Sequence, residues 1–272
     1  MLNKLIIIIS LLLVISCSNE INYNNNKKII IIQGICSKYP QDNEHWGVKI
    51  KKIINENHKF IDKENGDIDD QIIDFSYSKT DWRENYYPEE TLLSIQNHIS
   101  NLEKIYDRYP DSEFYILGHS LGGIIALAGA ANSEKINSQT KSIVTVSTPI
   151  KGVSKSDNNS GLRSLVELFA CNSNENYENK IWEDISYDSE IIKLITNHDY
   201  NNTKVYNIVN KYDFVVSSES AKLETKFPHY CFKEVDNELF GLNHSTLLNN
   251  KFISSEIIDL LIYDKELLDD CE

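Results

Sequence analysis

The chain has no Cys-x-x-Cys pair and no cluster of His and Cys at zinc-ligand spacing, so no metal site can be read from it. It has no Gly-x-Gly-x-x-Gly loop, which excludes a dinucleotide-binding enzyme and leaves no cofactor implied. No apolar run reaches the roughly 20 residues that a membrane-spanning helix needs. Positive charge is also short, with 27 Lys and Arg against 41 Asp and Glu and a formal charge of −14. Such a surface repels phosphate, which argues against nucleic-acid binding, and an anionic lipid surface would repel it too. No internal repeat is visible.

What is present begins with a processing signal. Lys4 precedes an apolar run from Leu5 to Ile15, interrupted only by Ser10 and followed by Ser16-Cys17. A basic start, a short apolar stretch and a small residue before the cut describe a secretory signal peptide over residues 1–16. Val14-Ile15-Ser16-Cys17 also resembles a bacterial lipobox, with Val14 where Leu is commoner; that implies a lipidated Cys17 as the new first residue. An ordinary secretory signal with an incidental Cys is the alternative. The expectation is an exported lipoprotein of the cell envelope, attached to a membrane through acyl chains rather than charge. The leader carries one basic residue and no acidic one, so the mature chain has a charge of −15. Residues 17–28 are Asn-rich and read as a flexible tether. Cys36, Cys171, Cys231 and Cys271 remain, either as two disulfides in one of three connectivities or as thiols.

The rest, residues 29–272, is long enough for one α/β domain with a single core. Ile29-Ile30-Ile31-Ile32 is a continuous β-branched run, suited to a strand buried on both faces. Further strands are predicted over 72–77, 114–117, 142–146, 204–209 and 230–235, and helices over 44–57, 90–109, 124–131 and 251–268. Strands alternating with helices predict a mostly parallel sheet covered on both faces. Residues 150–202 break the alternation. They read as an insertion over the carboxyl edge, in part a cap or lid, with Leu162, Leu165, Val166, Leu168 and Phe169 near one helix face; a pair of ordinary surface helices fits equally well.

The strongest chemical signal is Gly118-His119-Ser120-Leu121-Gly122, between the predicted strand 114–117 and the helix from Ile124. A Gly-x-Ser-x-Gly turn from strand to helix holds the Ser in a strained backbone, with its oxygen above the sheet beside a helix N-terminus. Ser120 is therefore the candidate nucleophile. A hydroxyl needs a base at neutral pH. Of the seven His residues, His244 follows the last strand and precedes the last helix, the position that the chain order Ser, acid, His requires. His119 lies inside the elbow, with its side chain directed away from the Ser oxygen, and reads as structural. Asp213, just beyond the strand 204–209, is the candidate acid that would orient the imidazole, with Asp236 and Asp199 as rivals. An oxyanion hole takes one backbone N–H from the residue after the nucleophile, here Leu121.

On these residues the chain resembles the lipases and esterases of the α/β-hydrolase fold. Gly118 to Gly123 is similar to their elbow. Val146-Ser147-Thr148-Pro149-Ile150-Lys151-Gly152 resembles a Thr-Pro-His-x-Gly segment of many bacterial lipases, with Ile150 in place of the His. The stretch from Val209 to Val216 resembles their acid loop, and Asn243-His244 with Leu247 resembles their His loop. The resemblance implies a second oxyanion donor at the Ile35 N–H, although Gln33-Gly34 stands where His-Gly is common. It implies hydrolysis of carboxylic esters, lipid-like ones in particular, through an acyl-enzyme on Ser120. The same machinery serves acyltransferases and thioesterases, and a surface lipoprotein could keep the fold for binding alone.

Overall fold

The computed structural model describes residues 26–35, 46–56, 71–75, 93–153, 180–200, 202–223, 229–237, 244 and 246–263. Elements are numbered in chain order among them. Six strands, β1 (Lys27–Ile32), β2 (Ile72–Phe75), β3 (Glu113–His119), β4 (Thr140–Val146), β5 (Lys204–Asn210) and β6 (Tyr230–Val235), form one sheet in the order β2-β1-β3-β4-β5-β6. Every neighbouring pair is parallel. The helices are α1 (Trp46–Glu56), α2 (Ile95–Arg108), α3 (Leu121–Asn132), α4 (Glu134–Gln139), α5 (Lys180–Asp184), α6 (Glu190–Asn197), α7 (Ser218–Ala221), α8 (Thr246–Asn249) and α9 (Lys251–Tyr263).

The run of four Ile residues in β1 shows how the layers form. Side chains alternate across a strand. Ile30 and Ile32 join a core layer with Ile99 and Leu102 of α2 and Leu127 of α3, while Ile29 and Ile31 join a second layer with Ile50 and Ile54 of α1 and Ile257 and Leu261 of α9. All four are fully buried. Helices thus cover both faces of a parallel sheet, as the alternating pattern predicts.

Helix α4 was not foreseen, because its sequence is polar and buries only Ile136. The described part of the insertion, 180–200, behaves as body. Ile181, Trp182, Ile185, Ile192, Ile195 and Tyr200 belong to the first core layer. The Tyr200 hydroxyl donates to the Leu127 carbonyl of α3 (3.2 Å), and Asp184 accepts the Ile95 N–H at the start of α2 (2.7 Å). A carboxylate there meets an orphan N–H and the positive end of the helix. These short amphipathic helices, α5 and α6, complete the layer over α3. Leu162, Leu165, Val166, Leu168 and Phe169 lie outside the described residues, as do Cys17, Cys36, Cys171, Cys271 and the leader. Cys231 on β6 is disulfide-bonded and buried. Among the described residues, no helix is long and apolar enough to cross a membrane.

Helix α3 approaches β1 closely enough that a Cβ on Gly122 would fall 2.6 Å from the Gln33 carbonyl oxygen. Neither backbone can yield without moving an element. Gly122→Ala is therefore expected to lower the unfolding free energy by about 1–3 kcal/mol through overpacking. Urea denaturation measures this; an unchanged midpoint would show that α3 can withdraw from β1 without loss.

Candidate active site

β3 runs on through Gly118 and His119, and α3 begins at Leu121, so a single residue turns strand into helix. Ser120 does this with φ 53° and ψ −121°. A non-Gly residue at positive φ costs of order 1–3 kcal/mol and persists only where its surroundings enforce it. Here they do. The Ser120 N–H donates to the Val146 carbonyl (2.9 Å), and a Cβ on Gly118 would come within 2.6 Å of the Gly123 backbone. The Ser120 hydroxyl makes no capping bond to its own helix, which leaves its oxygen for other chemistry. The first N–H groups of α3, from Leu121 onward, lie beside it and favour negative charge.

The loop after β1 lies against this turn. A Cβ on Gly34 would sit 3.2 Å from Ser120 Cβ and 3.0 Å from His119 Nδ1. Ile35, next in that loop, packs partly buried against the first core layer. The backbone segments carrying the Ile35 and Leu121 N–H groups thus converge on Ser120.

Asp213 sits in the turn that follows β5. Its N–H donates to the Asn210 carbonyl (2.9 Å), and its Oδ1 accepts from the N–H groups of Val215 (2.8 Å) and Val216 (2.9 Å). Its side chain is wholly buried. His244 donates from Nδ1 to Asp213, 2.9 Å from Oδ2 and 3.2 Å from Oδ1. With the hydrogen on Nδ1, the neutral ring carries its lone pair on Nε2 and can accept a proton there. No hydrogen bond joins Ser120 to His244 among the described residues; such contacts often tighten only with substrate bound.

The rivals stand elsewhere. Asp236 is exposed and faces Lys211 (3.6 Å), and Asp199 is exposed. His98 is buried on α2, His198 packs edge-on against Tyr200, and His229 precedes β6 at the opposite edge of the sheet. His45 and His58 lie outside the described residues. Among the described residues, no group of three or more His, Cys, Asp or Glu could hold a metal ion.

Two neighbours of the site, Asn210 and Ser147, were not singled out from sequence, and a third, His119, was read as structural only. His119 lies with its ring centroid 4.9 Å from that of His244. Asn210 accepts the Tyr212 N–H (3.2 Å), an Asx-type turn; Asn two residues ahead of a loop position was the signal available. Ser147 is fully buried at φ 49°, and it and Ser120 are the non-Gly residues at positive φ among those described. Its hydroxyl faces Asp213 without the geometry of a full hydrogen bond.

Burial by itself pushes the Asp213 carboxyl up. The hydrogen bond and charge of His244, the Val216 N–H and the Ser147 hydroxyl outweigh burial and hold it below the ordinary 3.8.

Known proteins resemble this chain in fold. Residues 27–189 match the family described as PGAP1-like alpha/beta domain. No curated protein matches the chain. Among solved structures, phospholipase PlaB from Legionella pneumophila is similar at a TM-score of 0.62 and 11% identity, over 88% of this chain and 59% of PlaB. The chain thus spans less than two thirds of PlaB. Bacillus licheniformis lipase BlEst2 in mature form (TM-score 0.53, 12% identity) covers 88% of this chain, which spans 93% of it. Mouse alpha/beta hydrolase domain-containing protein 10 (TM-score 0.53, 14% identity) covers 89% of this chain, which spans 89% of it. At these identities the likeness is one of fold, and the fold is that of the α/β hydrolases.

The depressed Asp213 pKa makes a prediction with a definite sign. Its contribution to stability is fully present above the unfolded value of about 3.8 and is lost as pH falls through the folded value. In His244→Ala, burial is left less opposed, so the Asp213 pKa rises and that loss shrinks or reverses. The fall in urea midpoint between about pH 5 and pH 3 should thus be smaller in His244→Ala than in the parent. Equal falls would show that the two side chains are not coupled in solution.

Proposed function

The chain belongs to the PGAP1-like alpha/beta domain family, and on that premise we propose that it is a serine hydrolase that cleaves carboxylic esters through an acyl-enzyme on Ser120. The observation that carries the proposal is the Asp213–His244 hydrogen bond, 2.9 Å long, formed at the sheet edge where Ser120 holds its strained turn.

In the proposed reaction the ester carbonyl lies over Ser120. His244 Nε2 takes the hydroxyl proton as Ser120 Oγ attacks the carbonyl carbon. The carbonyl oxygen becomes an oxyanion facing the Leu121 and Ile35 N–H groups, at the positive end of α3. His244 then gives its proton to the leaving alkoxide as the C–O bond breaks, and the alcohol departs. Water repeats the sequence on the acyl-enzyme and releases the carboxylic acid. Asp213, ionised at neutral pH, fixes the Nδ1–H tautomer and stabilises the imidazolium that forms twice per cycle.

The substrate class is a lipid-like ester. Support comes from the fold shared with a phospholipase and a lipase and from the lipase-like segments of the sequence. It also comes from the lipobox-like end of the leader, which would hold the mature chain to an envelope membrane through acylated Cys17.

Ser120→Ala should abolish ester hydrolysis and fluorophosphonate labelling while keeping the folded spectrum. Asp213→Asn should lower kcat by roughly 10³–10⁴-fold, and Asp236→Asn should leave it near the parent value. Hydrolysis of p-nitrophenyl esters of graded chain length should rise toward the longer chains; a parent protein that neither labels nor hydrolyses would leave a binding protein instead. Mass spectrometry of membrane-extracted protein should find an acylated peptide beginning at Cys17, and a soluble product starting elsewhere would refute the anchor.

A further inference from the structure

We propose that His119 and Asn210 are positioning residues that clamp the His244 loop to the carboxyl ends of β3 and β5, and so set the imidazole between Ser120 and Asp213. The inference rests on the reading of Ser120, His244 and Asp213 as a catalytic unit.

His244 comes from a loop, whereas Ser120 is fixed by a strand and a helix. A base on a loop needs attachments to the sheet if it is to stay aligned. The Asp213 bond holds the ring at Nδ1 only, and a ring held at one atom can still swing with its backbone.

His119 supplies the first attachment. It is the last residue of β3 and is buried. Its Nε2 lies 3.0 Å from the His244 carbonyl oxygen. A carbonyl can only accept, so His119 Nε2 carries the hydrogen and donates it. The bond fixes the peptide of His244 itself. Because His119 directly precedes Ser120, nucleophile and base are referred to the same two residues of one strand.

Asn210 supplies the second. It ends β5, is 1% exposed, and uses its amide in three directions. Oδ1 accepts the Tyr212 N–H (3.2 Å), next to Asp213. Nδ2 donates to the Asn237 carbonyl beyond β6 (3.1 Å) and to Thr246 Oγ1 (3.1 Å), two residues after His244. One buried side chain thus ties the acid loop to the His loop. An isosteric carboxylate could not replace it, because the Asn237 carbonyl needs a donor and the charge would add to that of Asp213 nearby.

The clamp predicts an effect on kcat per active molecule and little on substrate affinity. Displacement of a catalytic group by about 1 Å can cost 10²-fold in rate. Asn210→Ala and His119→Ala should each lower kcat by roughly 10- to 100-fold per site titrated by fluorophosphonate, with KM for a short ester changed by less than about threefold. His119→Gln, which can present an amide N–H near the Nε2 position, and Thr246→Ser, which keeps the hydroxyl, should stay close to the parent; Thr246→Val should fall partway toward Asn210→Ala. The downfield proton resonance of His244 Nδ1–H, assigned by its loss in His244→Ala, should shift or broaden in the two Ala variants although Asp213 is untouched.

A merely structural role would lower Tm and the titrated fraction while leaving kcat per titrated site and the resonance at parent values, and that result overturns the proposal. If Asn210→Ala does not fold, Thr246→Val and His119→Ala, with His119→Gln as its rescue, carry the same comparison. Absence of labelling in the parent would overturn the hydrolase reading, whereas the Nδ1–H resonance would still decide whether the clamp exists.

Discussion

Ser120 turns the chain from β3 into α3 within one residue, and the left-handed backbone that does so, at φ 53°, is the constraint on which the carboxyl edge of this sheet depends. The turn cannot relax alone. Its N–H is held by the last carbonyl of β4, and glycines at 118 and 122 let β3, β1 and α3 meet without Cβ atoms between them. Strain at one residue is thereby balanced against the packing of three elements, and the result is a hydroxyl beside a helix N-terminus and clear of its own cap. Ser147 shows the same logic one strand over. It too sits at positive φ where β4 ends, fully buried and turned toward Asp213.

The electrostatics follow from that geometry. A wholly buried carboxylate is unfavourable unless it is hydrogen-bonded, and burial is the largest influence on Asp213. What keeps it ionised is convergence: two backbone N–H groups of its own turn, the His244 ring and the Ser147 hydroxyl. The turn contributes its N–H groups because Asn210, Val215 and Val216 hold it closed. The Asp213 carboxylate is therefore pre-set by the fold, and its hydrogen bond sets the His244 tautomer.

The sequence made legible whatever depends on local pattern. The Ile run of β1 announced a strand buried on both faces, and the structure buries it so. The elbow could be located because its glycines, its serine and its flanking apolar runs are contiguous. His244 and Asp213 were within reach because chain order and loop position constrain them, although no short-range pattern joins residues 31 positions apart. Elsewhere the pattern gave out for physical reasons. Helix α4 buries a single apolar residue, so it has no periodicity to read. Residues 180–200 are too short and mixed for periodicity to show that they pack on α2 and α3, and only their contacts reveal it. His119 and Asn210 act across 125 and 36 residues of chain respectively, through single hydrogen bonds that composition and spacing do not encode.

The two core layers explain why the site needs the whole domain. Along β3, Phe114 and Ile116 face the layer of α2, α3, α5 and α6, while Tyr115 and Leu117 face the layer of α1, α8 and α9. Ser120 is carried by α3 from the first layer. His244 precedes α8, whose Leu247 and Leu248 are buried in the second. Asp213 belongs to neither, since Val216 beside it packs in a small third cluster with Val209, Ala221 and Phe232. Each member thus arrives from a different packing unit, and the sheet edge is where all three units meet. A ligand touching the three residues would be sensitive to the docking of both layers, even though it contacts neither core. The polar links across that edge, from His119 to the His244 carbonyl and from Asn210 to Thr246, run between strands of the rigid sheet and the loop of the second layer. They are placed where apolar packing alone would leave the loop free to slide, because hydrophobic contact is non-directional and a hydrogen bond is not.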